Sequence, residues 1–529
     1  MATTKFCGYA AAISGMVAIA GAASGDDPGA PAPVKKATQQ APGRGPITNV
    51  ELERVFSIKE LAMPVLSIDP MDTDFGDLEA LVDKIGTSRV VMLGEQSHGD
   101  GATFQAKSRL VKFLHQRMGF DVIAFESGIY DLARVNMGMR EEPNWNEAVK
   151  RGVFGIWSQS EQCRQLFEYI YDTHHGHTSG LRPLEVAGFD SQFTLAIKES
   201  PYFEDVEKFF ARASGVIDGN MADQLVQLKV WHTEVSYTPD VSEDIEQQLS
   251  DEQLERLEKA RTFNREQIEE LMKNIDTIVA AMDKDIASPE SKLRRVHDVR
   301  TIGLYRQSLL SMKAYSQQVA TGKVIKIEDN NARDKAMAEN LLHLVNMQFK
   351  DRRVIVWGAS FHNMWDAPKV RWQTDEPDMP GAYAKTVTMG TLVKEALKDD
   401  LYSIMFTAYS GQTGKPWTGA SPLDTAGKGT LEHYFKKAGI KHAIVDFRSI
   451  KPKEDGTGNG AGHWLRGKVT ARPLGYQPMT ADWGAHCDAM FYSETMAPST
   501  KASLPQLPDG IKPDMLPDDD APTTGKPKF

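Results

Sequence analysis

Glu95 and His98 stand three residues apart, just past the apolar run Val90-Val91-Met92-Leu93-Gly94. A helical pattern follows from Thr103 to Met118. In open α/β sheets, ligands bind at the carboxyl ends of strands. Imidazole titrates near neutral pH, so it can take a proton from water and return it to a leaving group. Nearby glutamates can fix its tautomer or stabilise its charged form. Three more candidates sit at expected strand ends. Glu126 ends Val122-Ile123-Ala124-Phe125, Asp190 ends the run from Leu184, and His362 lies just past Arg353-Val354-Ile355-Val356-Trp357. The set suits water activation for ester or amide hydrolysis. It equally suits a divalent hydrolytic metal, with Glu95, His98, Glu126 and His362 as ligands. A serine hydrolase fits less well. No GxSxG follows a strand, and Ser97 would have to use its immediate neighbour His98 as base. Blander roles exist for each residue: the glutamates could pair with Lys107 or Arg109, His362 could be a satisfied core histidine, and Asp190 could cap a helix.

These residues need a sheet to bring them together. Helical spacing over 72–85, the strand at 90–93, the helix from 103, the strand at 122–125 and a helix from Tyr130 alternate as in a parallel sheet with crossover helices. If the first two strands are neighbours, Glu95 and Glu126 reach one edge together. The region 200–350 holds no convincing strand. Long charged helices are expected there over 204–214, 221–235, 242–283 and 290–319. A helix at 331–349 then leads to the strand ending at Trp357, and strands at 401–409, 443–448 and 488–492 continue the sheet. The expected fold is therefore α/β: a mainly parallel sheet core with crossover helices, a helical insertion or lid, and a smaller α/β portion. The expected organisation is a signal peptide at 1–23, a flexible linker at 24–47, and α/β core at 48–200. A mainly helical insertion at 201–350, the second part of the core at 351–497 and a disordered tail at 498–529 complete it.

The bulk composition limits partners. A net charge of −11 argues against a nucleic-acid groove or an anionic membrane surface. Lys5 followed by the apolar and small residues Ala10–Ala23 reads as an export signal, too short for a confident membrane span. The expected location is periplasmic or secreted, with no membrane attachment once the signal is removed. Signal removal would leave Cys163 and Cys487, which could form one disulfide. The aromatic residues Trp157, Trp357, Phe361 and Trp365 would suit a large apolar substrate, or they fill the core.

Leu93-Gly94-Glu95-Gln96-Ser97-His98-Gly99 resembles the Gly-Glu-x-x-His-Gly signature of the erythromycin esterase family. Further matches follow in order: Lys107 and Arg109, Gly119-Phe120, Glu126, Gly188-Phe189-Asp190, then Arg333-Asp334 with Met337 and Asn340. Val356-Trp357, His362, Met389-Gly390, Asp446 with Arg448, and Arg472 with Gly475 extend the resemblance from Ile85 to Tyr492. Members of that family open macrolide lactones by hydrolysis, while others act on different substrates. The resemblance implies His98 as general base, with Glu95, Glu126 and His362 lining the same cleft. It implies Lys107 as a candidate to hold a developing oxyanion, Arg333 and Asp190 as secondary candidates, a small-molecule ester as substrate, and no required cofactor. It departs at Trp357-Gly358-Ala359-Ser360-Phe361-His362, where the family commonly carries Trp-Ala-His-Asn-x-His. Ala359 and Ser360 replace a histidine and an asparagine, so a role needing both histidines has no residue here. Two other readings stand beside the esterase: a metal-dependent hydrolase or peptidase using the same cleft, and a non-catalytic envelope or polysaccharide-assembly protein binding a ligand there.

Overall fold

The computed structural model describes residues 49–178, 180–195, 200–235, 250–320, 330–372, 381, 383–451 and 462–502. The expected signal and the whole of the expected linker lie outside these residues.

Six strands form a parallel sheet: β2 (Val90–Leu93), β3 (Phe120–Gly128), β4 (Glu185–Asp190), β5 (Arg353–Trp357), β7 (Leu401–Thr413) and β12 (Ala489–Met496). Their order across the sheet is β4-β3-β5-β2-β7-β12. Antiparallel β9 (His442–Asp446) and β1 (Met63–Pro64) extend one edge, and β8 (Ser421–Leu423) folds back on β7. A small second sheet holds β6 (Arg371–Trp372), β10 (Val469–Ala471) and β11 (Met479–Ala481).

The strands read as continuous apolar runs because helices cover both faces. Val91, Leu93, Ile123, Phe125, Ile355 and Trp357 pack on one face against helices Gly101–Met118 and Glu161–His174. The alternate residues Val90, Met92, Val122, Ala124, Val354 and Val356 pack on the other against helices Asn331–His343 and Met389–Leu397. The helical part comprises Tyr202–Arg212, Gly219–Val235, Asp251–Ala287 and Val299–Ala320. It has its own core, in which Phe209, Ile275, Ile278 and Met312 meet Tyr130.

The structure differs from the sequence reading in four places. First, β2 and β3 are not neighbours, because β5 lies between them and pairs with both. The chain visits β4 and the whole helical part before β5 fills the gap, a long-range pairing that local patterning does not encode. All three carboxyl ends still share one edge. Second, the Asn331–His343 helix belongs to the core and not to an insertion ending at 350, since it buries Met337, Ala338 and Leu341 on the sheet. Third, Cys163 and Cys487 are both buried and unpaired. They lie in core clusters on opposite faces of the sheet. Fourth, the first residues of the expected disordered tail are ordered by backbone bonds. Ser499 N donates to Gly99 O at 2.9 Å and Ala502 N to Gln159 O at 2.7 Å. Residues 503–529 lie outside the described residues.

Candidate active site

The turn after β2 is narrow. Gly94 packs so closely on Ser360 that a Cβ there would stand 2.4 Å from its Oγ and 3.1 Å from its Cα. Ser360 N donates to Glu95 O at 2.9 Å, which ties this turn to the one after β5. Glu95 is thereby held beneath the turn, only 1% exposed. Its Oε1 lies 2.7 Å from His98 Nδ1 and its Oε2 accepts from Lys107 Nζ at 2.7 Å. A carboxylate on Nδ1 fixes the tautomer that carries its proton there, leaving the Nε2 lone pair available. The His98 ring stands edge-on to Trp157, with centroids 5.7 Å apart, and its side chain keeps 15% exposure.

Lys107 is fully buried on the Gly101–Met118 helix. Besides Glu95, its ammonium faces the Trp357 ring, 4.0 Å from the centroid. Burial pulls its pKa down, against the pull of Glu95. Thus Trp157 and Trp357 are both core residues, 0% exposed, that wall the dyad from behind. Phe361 and Trp365 are partly buried and pack in a separate cluster.

A second histidine–carboxylate pair lies across β5. His362 Nδ1 is 2.8 Å from Asp334 Oδ1, which also accepts from Met389 N at 2.8 Å. In the neutral ring Nδ1–H donates to Asp334, and Nε2 accepts from Arg333 Nη1–H at 3.1 Å. Burial disfavours the charged ring, but Asp334 and Glu126 beside it hold its pKa above the ordinary histidine value. On protonation the Nε2–H faces Glu126 Oε1, 3.5 Å away.

Arg333 joins these groups. Its guanidinium donates to Glu126 Oε1 at 3.0 Å, and to Asp190 through Nε at 3.0 Å and Nη2 at 2.6 Å. The two bonds to Asp190 are the planar fork that arginine, unlike lysine, can present. Glu126 Oε2 accepts from Ala359 N at 2.8 Å. Burial pushes the Glu126 pKa up, but the charges of His362, Arg333 and His98 prevail and hold it down at about 2. It is a carboxylate throughout the neutral range, unable to shuttle protons there.

The candidate site residues therefore meet at one sheet edge. Glu95, His98 and Lys107 form one group, and Glu126, Asp190, Arg333 and His362 the other. Lys107 also makes the blander ion pair with Glu95 considered above, whereas Asp190 pairs with Arg333. Arg109 instead pairs with Asp77 at 2.7 Å. The sequence reading missed two functional groups. Asp334, next to Arg333, orients His362, and the Ala359 backbone N–H anchors Glu126 although the side chain carries no chemistry.

The erythromycin esterase family model matches residues 115–496. The chain belongs to this family. It is 25% identical over 442 residues to a putative hydrolase, YbfO, of Bacillus subtilis (strain 168), covering 82% of this chain and 89% of that protein. It is 24% identical over 421 residues to erythromycin esterase type II of Escherichia coli, covering 74% and 88% respectively. Its fold is similar to that of a Bacillus cereus protein, with a TM-score of 0.64 and 16% identity over 86% of this chain and 99% of that one. It is also similar to a mutant of the erythromycin esterase EreC in its open conformation, with a TM-score of 0.57 and 15% identity over 84% and 99% of the two chains. The family places the chain among hydrolases.

Proposed function

We propose that this protein hydrolyses an ester, with a water molecule activated by His98. The observation that carries the reading is Glu95 Oε1 at 2.7 Å from His98 Nδ1. With Nδ1–H held by the carboxylate, Nε2 takes a proton from water as the oxygen attacks the acyl carbon. The tetrahedral intermediate collapses, the C–O bond breaks, and Nε2–H returns the proton to the leaving alkoxide. For a cyclic ester the product is one ring-opened hydroxy acid. Glu95 sets the tautomer and stabilises the imidazolium. Lys107 positions Glu95, because its ammonium is engaged there and against Trp357. The Arg333 guanidinium and, when protonated, His362 supply positive charge for the oxyanion.

We propose further that no metal takes part. Both Glu95 oxygens are engaged, by His98 and Lys107. Glu126 is engaged by Arg333 and Ala359 N, and His362 by Asp334 and Arg333. Two cations thus stand against the carboxylates that a dication would need. Among the described residues no group of three or more His, Cys, Asp or Glu side chains is arranged to hold a metal ion.

The family supports a macrolide lactone as one candidate substrate. The test is a panel of macrolides of different ring size and simple aryl esters, with and without a chelator. The readout is a mass gain of one water. Gain that a chelator leaves unchanged supports the reading, gain lost to the chelator overturns the metal-free part, and no gain on any ester overturns the function. Among the described residues no helix is long and apolar enough to cross a membrane.

A further inference from the structure

We propose that Asp100 is the positioning residue of the His98 loop, clamping it to three distant segments of the chain. Asp100 occupies the N-cap of the Gly101–Met118 helix, where an aspartate would ordinarily accept from the first-turn amides. Its side chain makes no such bond. The fully buried carboxylate turns back instead. Oδ2 accepts from Ser97 N at 3.0 Å, inside the loop between Glu95 and His98. Oδ1 accepts from Thr413 Oγ1 at 2.7 Å, at the end of β7. The Tyr476 hydroxyl also faces it.

The backbone around Asp100 repeats the pattern. Gly99 O accepts from Gly414 N at 3.1 Å and from Ser499 N at 2.9 Å. Gly475 N donates to Gln96 O at 3.0 Å. The glycines on either side of Asp100 make room for these segments. A Cβ on Gly99 would stand 2.7 Å from Gly414 N, and one on Gly101 would stand 2.3 Å from Pro498 O. The β7–β8 hairpin, the turn at 472–476 and the C-terminal stretch at 497–502 therefore press on one four-residue loop. The C-terminal stretch also holds the opposite wall of His98. Thr500 O accepts from Glu161 N at 2.8 Å, and Ser499 Oγ bonds Ser160 Oγ at 2.7 Å, next to Trp157. A helix cap is sacrificed so that the loop carrying the base has no freedom to swing.

The inference rests on His98 being the base, but one readout is independent of turnover. The full-length chain is compared with Asp100→Ala, Asp100→Asn and Thr413→Val. Asn keeps an oxygen for Ser97 N–H, and its amide can donate to Thr413 once that hydroxyl rotates. Asp100→Ala should lower kcat by about 10- to 100-fold with KM within about twofold, the size of a misplaced catalytic group. Asp100→Asn should recover most of kcat, and Thr413→Val should fall between. In proton NMR, the downfield Nδ1–H signal of His98 should broaden or vanish in Asp100→Ala and persist in Asp100→Asn. An unchanged signal in Asp100→Ala overturns the inference whether or not any ester is turned over. So does a loss in Asp100→Asn equal to that in Asp100→Ala. If Asp100→Ala fails to fold, Thr413→Val decides: a weakened Nδ1–H signal supports the clamp and an unchanged one overturns it.

Discussion

Replacing Glu95 with glutamine should inactivate the enzyme through the wrong tautomer of His98, and Lys107 is the reason. The carboxylate accepts on both sides, from His98 Nδ1–H and from Lys107 Nζ, each at 2.7 Å. A glutamine offers one oxygen and one NH2. An ammonium has no acceptor capacity, so Lys107 claims the oxygen. The NH2 is left facing His98 Nδ1, which must then become the acceptor, and the ring proton moves to Nε2. A ring with its proton on Nε2 cannot take another from water. In serine-protease triads the corresponding carboxylate-to-amide change lowers kcat by about 10⁴-fold, or about 5 kcal/mol of barrier. The same loss is expected here on whichever ester the wild type turns over. The ¹⁵N shifts of His98 should report the inverted tautomer in the resting protein. Adding Lys107→Met removes the demand for the oxygen, lets the amide turn over, and should recover at least about tenfold of the lost rate. Glu95→Gln activity within tenfold of wild type, or a tautomer unchanged by it, would refute this reasoning.

The remaining expectations concern the buried charges. Arg333→Met leaves Glu126 and Asp190 buried without their shared cation and should cost about 3–5 kcal/mol of stability, read as a fall in the urea midpoint. Glu126 has a folded pKa of about 2 against 4.5 for the free group. Its contribution, on the order of 3 kcal/mol, is therefore fully present above pH about 4.5 and lost as pH falls toward 2. Urea unfolding should show wild type losing its advantage over Glu126→Gln as pH falls from about 4.5 toward about 2, whereas a constant gap would contradict the assignment. Gly94→Ala drives a Cβ to 3.1 Å from Ser360 Cα. It should destabilise by about 1–3 kcal/mol, partly restored by Ser360→Gly in the same melting assay.

Much of the site was legible because a parallel sheet writes its strands as apolar runs and ends them at one edge. Glu95, Glu126, Asp190 and His362 could each be placed by that rule, and the histidine–carboxylate spacing at 95 and 98 is local. Lys107 sits 12 residues from Glu95 on the next helix and could be paired with it from helical spacing. Strand order was not legible, since β5 enters between β2 and β3 only after the helical part has been made. Asp334 escaped for the same reason: its bond to His362 joins the start of one helix to a turn after a strand. The local pattern does not single out Asp100, and only the backbones of Gly414 and Ser499 closing on Gly99 reveal its task. The order of residues 498–502 was hidden by a composition rich in Pro, Ser and Thr, because their anchors are backbone bonds that composition does not record.

The decisive comparison is wild type against His98→Ala on the ester panel, with melting curves of both. His98 is partly exposed and bonded chiefly to Glu95, so the variant should melt close to wild type. Product gaining one water in the wild type and absent in the variant is the expected result. Undiminished turnover by folded His98→Ala would contradict water activation by His98.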